Sequence, residues 1–241
     1  MCSPKAAFIL HLLSFAVLLK TVLGDNQVQL AHKCSGVKFR VNGHFPSNLQ
    51  ELIASLSKST PPVGFARDSI GEESDQVHGL GLCRGDVNQL ECKTCIQKAA
   101  QEIYNLCHSK KAGVVWYDHC MLKYSNEDFL SKVDMQNKFH VCDEGYSKVS
   151  IRKAKKKIFQ QLVESAYLDP KLYAKADTQE GMTPGSKLYG MVQCTGDLSG
   201  PNCKKCLKTA NQRFETNCGH RKNGMFYTGS CYIRYETNHT I

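Results

Sequence analysis

Beyond its first 24 residues the chain has no apolar run near the ~20 residues a membrane-spanning helix needs, so no transmembrane span is expected. Catalytic patterns are also missing. His78, His108, His119, His140, His220 and His239 are scattered, with neither paired carboxylates nor a nucleophile motif beside them. An enzyme is therefore not expected, and neither a cofactor nor a metal is implied. No aromatic-rich groove pattern accompanies the basic residues, which argues against nucleic acid as a partner. Apolar residues, by contrast, make up 41% of the chain, enough for real cores and too many for global disorder.

The first 24 residues are read as a secretory signal peptide. Lys5 ends a short basic start, residues 6–19 form an apolar run softened by His11 and Ser14, and Val22 and Gly24 precede the expected cut. Cleavage removes Cys2 and leaves twelve of the 13 cysteines, an even number suited to disulfides in an exported protein.

Those twelve cysteines fall into two sets. Cys34, Cys83, Cys92, Cys95, Cys107 and Cys120 form the first; Cys142, Cys194, Cys203, Cys206, Cys218 and Cys231 form the second. After the leading member both read C-x8-C-x2-C-x11-C-x12-C. "VHGLGLCRGD" aligns on "LYGMVQCTGD", matching Gly79 with Gly190, Gly85 with Gly196, and Asp86 with Asp197. The chain is a tandem duplication, with domains expected at 25–128 and 135–238 and a short polar junction near 125–135. Charge divides unevenly. Residues 25–131 hold 11 basic against 12 acidic side chains, whereas residues 132–241 hold 18 against 10.

Both halves show the same order of elements. In the first, Ser47 and Gln50 are placed for a capping box ahead of a helix whose Leu49, Leu52, Ile53 and Leu56 share one face. Its counterpart spans 150–166, with Ile151, Ala154, Ile158 and Leu162 as the buried stripe. A glycine-containing strand then ends at Cys83 or Cys194, and a second helix begins near Cys92 or Cys203. Last come "GVVWYDHCMLKYS" and "GMFYTGSCYIRYET", rich in aromatic and β-branched residues and read as strands. Trp116, Tyr117, Phe226 and Tyr227 are assigned to core or interdomain packing. The expected class is α+β, twice: two helices packed on a small antiparallel sheet.

The C-x-x-C pairs admit three chemistries. A secreted thiol–disulfide oxidoreductase would put such a pair at a helix start, where the dipole lowers a thiol pKa. Each pair, however, sits among four further cysteines and outside any thioredoxin-like βαβ run. Zinc would need two pairs that lie in equivalent, separate domains. Structural disulfides remain, and six cysteines allow fifteen pairings. Cys107 lies ~18 Å beyond Cys95 along an intact helix, too far for a bond to Cys95 or Cys92, which leaves nine.

This spacing, with Gly-Asp after the second cysteine of each set, resembles the plant Gnk2-homologous domain, also called DUF26. A signal peptide followed by two such domains resembles a cysteine-rich repeat secretory protein. The resemblance implies two helices on an antiparallel sheet per domain, an apoplastic location, and first–fifth, second–third and fourth–sixth disulfides. Those are Cys34–Cys107, Cys83–Cys92 and Cys95–Cys120, then Cys142–Cys218, Cys194–Cys203 and Cys206–Cys231. Some single-domain members bind mannose and act against fungi through an Asn, an Arg and a Glu. At those positions stand Ser35, Val114 and Ser125 in the first repeat, and Asp143, Met225 and Glu236 in the second. Only Glu236 matches, so mannose-lectin activity is not carried over.

Two other features are candidate sites. In "KVSIRKAKKK" (148–157), Lys148, Arg152, Lys153, Lys156 and Lys157 form a basic patch, with Lys155 on the flank of the apolar stripe. Such a patch suits an anionic polysaccharide, an anionic lipid or an acidic partner. Asn238, in Asn-His-Thr, is a glycosylation sequon. The expected function is a secreted, non-enzymatic binding protein of defence or cell-surface signalling, contacting wall polysaccharide or a receptor ectodomain. The alternatives are a redox protein and an antifungal lectin-like protein.

Overall fold

The structure is a computed structural model that describes residues 27–237; the expected signal peptide, Cys2, Asn238 and His239 lie outside them. The first domain runs β1 (Gln29–Lys38), α1 (Phe45–Val63), β2 (Phe65–Ile70), β3 (Val77–Cys83), α2 (Gln89–Leu106), β4 (Lys110–Tyr117), β5 (Cys120–Ser125). The second repeats it as β6 (Lys138–Cys142), α3 (Val149–Ala166), β7 (Tyr173–Thr178), β8 (Leu188–Cys194), α4 (Gly200–Cys218), β9 (Gly224–Thr228), β10 (Cys231–Thr237). Strand orders β1-β4-β5-β3-β2 and β6-β9-β10-β8-β7 describe two equivalent five-stranded sheets, antiparallel throughout. The edge strands β1, β2, β6 and β7 escape sequence reading because an edge strand is half solvated and its alternation is weak.

Helices cover one face of each sheet. In the first domain Leu49, Leu52 and Leu56 of α1 and Ile96, Ala99 and Ile103 of α2 pack on Val115 and Leu122. In the second, Ile158, Phe159 and Leu162 of α3 and Leu207, Ala210 and Phe214 of α4 pack on Val192, Phe226 and Ile233. The strand glycines set the register: Gly79 faces Leu52 and Leu56, and Gly190 faces Leu162 and Ile158. One turn earlier, domain 1 has Leu49 and domain 2 has Lys155, both fully buried.

Helix starts depart from two expectations. The Ser47–Gln50 capping box does not form. α1 begins three residues earlier, behind His44 as its N-cap, with Pro46 in its first turn, and Ser47 Oγ donates to the His44 carbonyl. Proline supplies the helical φ there and needs no capped N–H. The capping box belongs instead to α2, where Asn88 accepts from the Glu91 amide and Glu91 accepts from the Asn88 amide.

All twelve cysteines of the described chain are bonded. Cys83–Cys92 and Cys194–Cys203 pin the end of a central strand to the first turn of the following helix. Cys95–Cys120 and Cys206–Cys231 tie that helix to the last strand, and Cys34–Cys107 and Cys142–Cys218 tie its far end to an edge strand. Among the described residues no helix is long and apolar enough to cross a membrane.

Candidate functional site

Each sheet has a second face, and these two faces meet. Leu80, Leu82, Val114, Trp116 and Met121 of domain 1 form one buried cluster with Met191, Tyr227 and Tyr232 of domain 2. Trp116 donates its indole N–H to the Thr228 carbonyl (3.2 Å), and Phe139 stacks on Tyr227, which stacks on Tyr232. Trp116 and Tyr227 thus serve the interface, whereas Tyr117 and Phe226 serve the two cores.

The contacts follow a pseudo-two-fold pattern. A Cβ on Gly85 would overlap the Tyr173 ring, and a Cβ on Gly196 would overlap the Phe65 ring. The Gly-Asp signatures therefore seat an aromatic ring from the other domain. Lys123 and Arg234, matching residues of the last strands, each reach across. Lys123 Nζ reaches the Gly229 carbonyl of domain 2 (3.5 Å), bonds Asp134 of the interdomain junction (2.7 Å) and lies over Phe129, while Arg234 bonds Asp118 of domain 1.

The Arg234 side carries a charged chain across the interface. Lys175 pairs with Asp86, Asp86 with Arg84 (2.7 Å), Arg84 with Asp118 (3.1 Å), Asp118 with Arg234, and Arg234 with Glu236. Burial disfavours the Asp118 carboxylate, but Arg234 and Arg84 outweigh it and hold its pKa below the ordinary value. Gln193, buried at the centre, accepts from the Gly85 amide and the Tyr232 hydroxyl and donates to the Cys83 carbonyl.

The sugar-site positions fall on this interface or beside it. Val114 is buried within it and Met225 packs at its margin. Ser35, Val114 and Ser125 do line a groove of about 540 Å³, but its other wall is the interdomain linker, including Phe129 and Asp134. Neither a guanidinium nor a free carboxylate stands in the required places. Asp143 is held by the Lys222 amide and the Asn223 side chain. Glu236, the one position that matches the sugar site, is paired with Arg234 (2.7 Å), because the tandem partner makes that sheet face an interior.

The two ends of the interface differ. Over domain 2, the linker closes the Gly196 turn: the Ser131 amide donates to Asp197 (2.6 Å), and Asn202 donates to the Ser131 carbonyl. Over domain 1, the equivalent turn borders an open cleft of about 600 Å³, walled by Pro62, Phe65, Arg84, Asn88, Lys171 and Gln193.

The basic segment lies on α3, away from the interface. Lys148, Arg152, Lys153, Lys156 and Lys157 are exposed, and Lys157 pairs with Glu180 (2.6 Å). Lys155 corrects its expected place on the flank. It is fully buried, and its Nζ donates to the Gly219 and Arg221 carbonyls (2.7 Å each), Ser147 and Tyr235. Two carbonyls just past the end of α4, with the Ser147 and Tyr235 hydroxyls, wait at that depth, so the stem packs in the core while the ammonium binds the chain leaving the helix. Desolvation still lowers its pKa to about 8; Glu215 opposes the fall and Arg152 adds to it.

Among the described residues the histidines assemble no catalytic constellation. Ser69 and His78 touch across β2 and β3 (2.7 Å), but the neighbouring Asp68 is engaged by Ser55 and the Ser69 amide. Among the described residues no cluster of metal-ligating side chains occurs.

Comparison with known proteins agrees with this architecture. Residues 33–127 and 141–238 each match the salt stress response/antifungal family. An antimicrobial ginkbilobin-2-like protein of Castanea crenata is 40% identical over 210 residues, 86% of each chain. Cysteine-rich repeat secretory protein 38 of Arabidopsis thaliana is 35% identical over 97% of this chain and 93% of its own. The tandem DUF26 ectodomain of the Arabidopsis thaliana cysteine-rich receptor-like protein PDLP5 superposes with a TM-score of 0.72 at 25% identity, covering 88% of this chain and 100% of that one. The ectodomain of PDLP8 gives 0.76 at 24%, with coverage of 88% and 99%. The chain belongs to the salt stress response/antifungal family, whose domain, the Gnk2-homologous or DUF26 domain, it carries twice.

Proposed function

We propose that the protein is a non-enzymatic recognition module of the plant apoplast, acting in defence or cell-surface signalling through its outward helical layers rather than its sheet faces. The observation that carries this reading is the face-to-face packing of the two sheets, which buries Val114 and occupies Glu236 with Arg234. A relative named as antimicrobial, relatives named as secretory, and ectodomains of similar fold support the extracellular defence setting. The bonding of all twelve described cysteines supports a scaffold over a redox centre.

A binding screen against wall polysaccharides and receptor ectodomains tests the reading. Its hits should be abolished by substitutions on exposed helix surfaces and spared by substitutions at Ser35 or Asp143. Binding that depends on those two positions would overturn it. Thiol counting on the unreduced protein should find no free cysteine; a redox-active Cys92–Cys95 bond would instead establish the oxidoreductase.

A further inference from the structure

The outer surface of α3 holds cations without counterparts. Lys148, Arg152 and Lys156 recur every four residues, ~6 Å apart along the helix axis, with Lys153 and Lys157 in the adjoining row. Among the described residues, no carboxylate lies in ion-pair reach of Lys148, Arg152, Lys153 or Lys156; only Lys157 has one, in Glu180. More positive charge gathers at the N-terminal end of α3. The Ser147 amide binds the His220 carbonyl, which brings Arg221 and Lys222 alongside. Tyr146, 69% exposed, is stacked beside His220 (5.6 Å) and held by Arg221 (4.6 Å). Beneath them Lys155 points its ammonium at neutral oxygens, and the carboxylates felt there, Glu215 and Asp143, are outnumbered by the exposed cations above.

We infer that this face binds a linear acidic polysaccharide of the uronate type. This rests on the reading of the protein as an extracellular binder and names the partner of one helical layer. A row of evenly spaced cations matches a polymer with one carboxylate per sugar better than a single anion. Long, flexible lysines are depleted from protein–protein interface cores, which disfavours a shape-matched protein partner. A lipid surface fits poorly as well, because Ile158, Phe159 and Leu162 of α3 are committed to the core, which leaves Val149 as the one large apolar side chain of the helix exposed for insertion. The ordered Tyr146 ring at the end of the row supplies an apolar surface for a sugar ring.

The test titrates polygalacturonate onto the full chain, beside a fully methyl-esterified polymer and phosphatidylserine vesicles. Arg152→Glu/Lys153→Glu/Lys156→Glu is compared with Lys38→Glu/Lys58→Glu/Lys93→Glu, an equal charge change on exposed lysines of domain 1. Polygalacturonate binding should fall roughly tenfold or more in the first variant and much less in the second. It should also weaken as ionic strength rises from about 0.01 M to about 0.15 M and the Debye length shrinks from about 30 Å to about 8 Å. The α3 variant relieves like-charge repulsion, so a retained melting temperature checks its fold. Equal loss in both variants, equal binding of the esterified polymer, preference for vesicles, or no binding at low salt would each overturn the inference. A receptor or neutral-glycan hit that the α3 variant abolishes would leave the broader functional reading standing while removing the acidic polymer.

Discussion

The two domains share a sheet order, a disulfide plan and a helix register, yet they differ at matched positions. Domain 1 buries Leu49 where domain 2 buries Lys155. Leu82 of the first sheet is apolar, and Gln193, its match in the second, carries the central polar contacts of the interface. Around one Gly-Asp turn the linker is strapped down, and around the other a cleft stays open. What both copies preserve is what the core and the mutual docking require. Divergence reaches single core and interface positions, as Lys155 and Gln193 show, and also the outer surface of α3, where Lys148, Arg152, Lys153, Lys156 and Lys157 stand exposed.

The comparison breaks most completely at Trp116, which serves both domains. Trp116→Ala should cost about 3–5 kcal/mol and split a single thermal transition into two, as each domain unfolds separately. One unchanged cooperative transition in calorimetry would mean that docking does not couple the domains.

Next come the longest loops, closed by Cys34–Cys107 (separation 73) and Cys142–Cys218 (separation 76). Paired serine substitution at either bond should destabilise its own domain by about 4 kcal/mol on the chain-entropy model. The corresponding loss at Cys83–Cys92, with a separation of 9, should be smaller, about 3 kcal/mol. The reverse order in chemical denaturation would show that native-state packing, not loop closure, sets the contribution.

Protonation of Lys155 gives a difference of sign. Its folded pKa, about 8, lies below the unfolded value of ~10.4, so the unfolded chain binds more protons between them. Stability of domain 2 should therefore rise as pH climbs from about 8 towards 10, by up to about 3 kcal/mol, a gradient that Leu49 cannot give domain 1. Above pH 10 the buried Tyr124, Tyr173 and Tyr235, whose pKa values desolvation raises, act in the opposite sense. Urea midpoints against pH, with Lys155→Met as control, read this directly; an unaltered slope in the variant would assign it elsewhere.

The mildest probe is the pseudo-symmetry of the glycines. Gly85→Ala and Gly196→Ala each push a methyl into a facing ring, Tyr173 or Phe65, at about 1–3 kcal/mol. Similar shifts in melting temperature would support equivalent seats. A harmless Gly196→Ala would show that the linker, rather than Phe65, holds that end.

Much of the fold could be read from the residues alone. Covalent spacing is one-dimensional, so four recurring cysteine intervals reveal a duplication without any knowledge of packing. The periodic stripes through Leu52 and Leu56 and through Ile158 and Leu162 mark helices because burial repeats with the helical period. The Ser47 signal misled because Pro46 and His44 offered an earlier start whose competition no local pattern ranks.

Helix geometry left nine disulfide pairings open and the family resemblance implied one of them; the tertiary structure forms that one, because the choice depends on which strand end lies beside which helix turn. It also decided that Val114 and Met225 pack into or beside the second sheet and that Glu236 pairs with Arg234, and that Lys155 points inward while its five basic neighbours stay in water. A helical period tells which way a side chain faces. It cannot tell which oxygens of a distant segment wait at depth to receive it, and those oxygens lie 64 and 66 residues further along the chain.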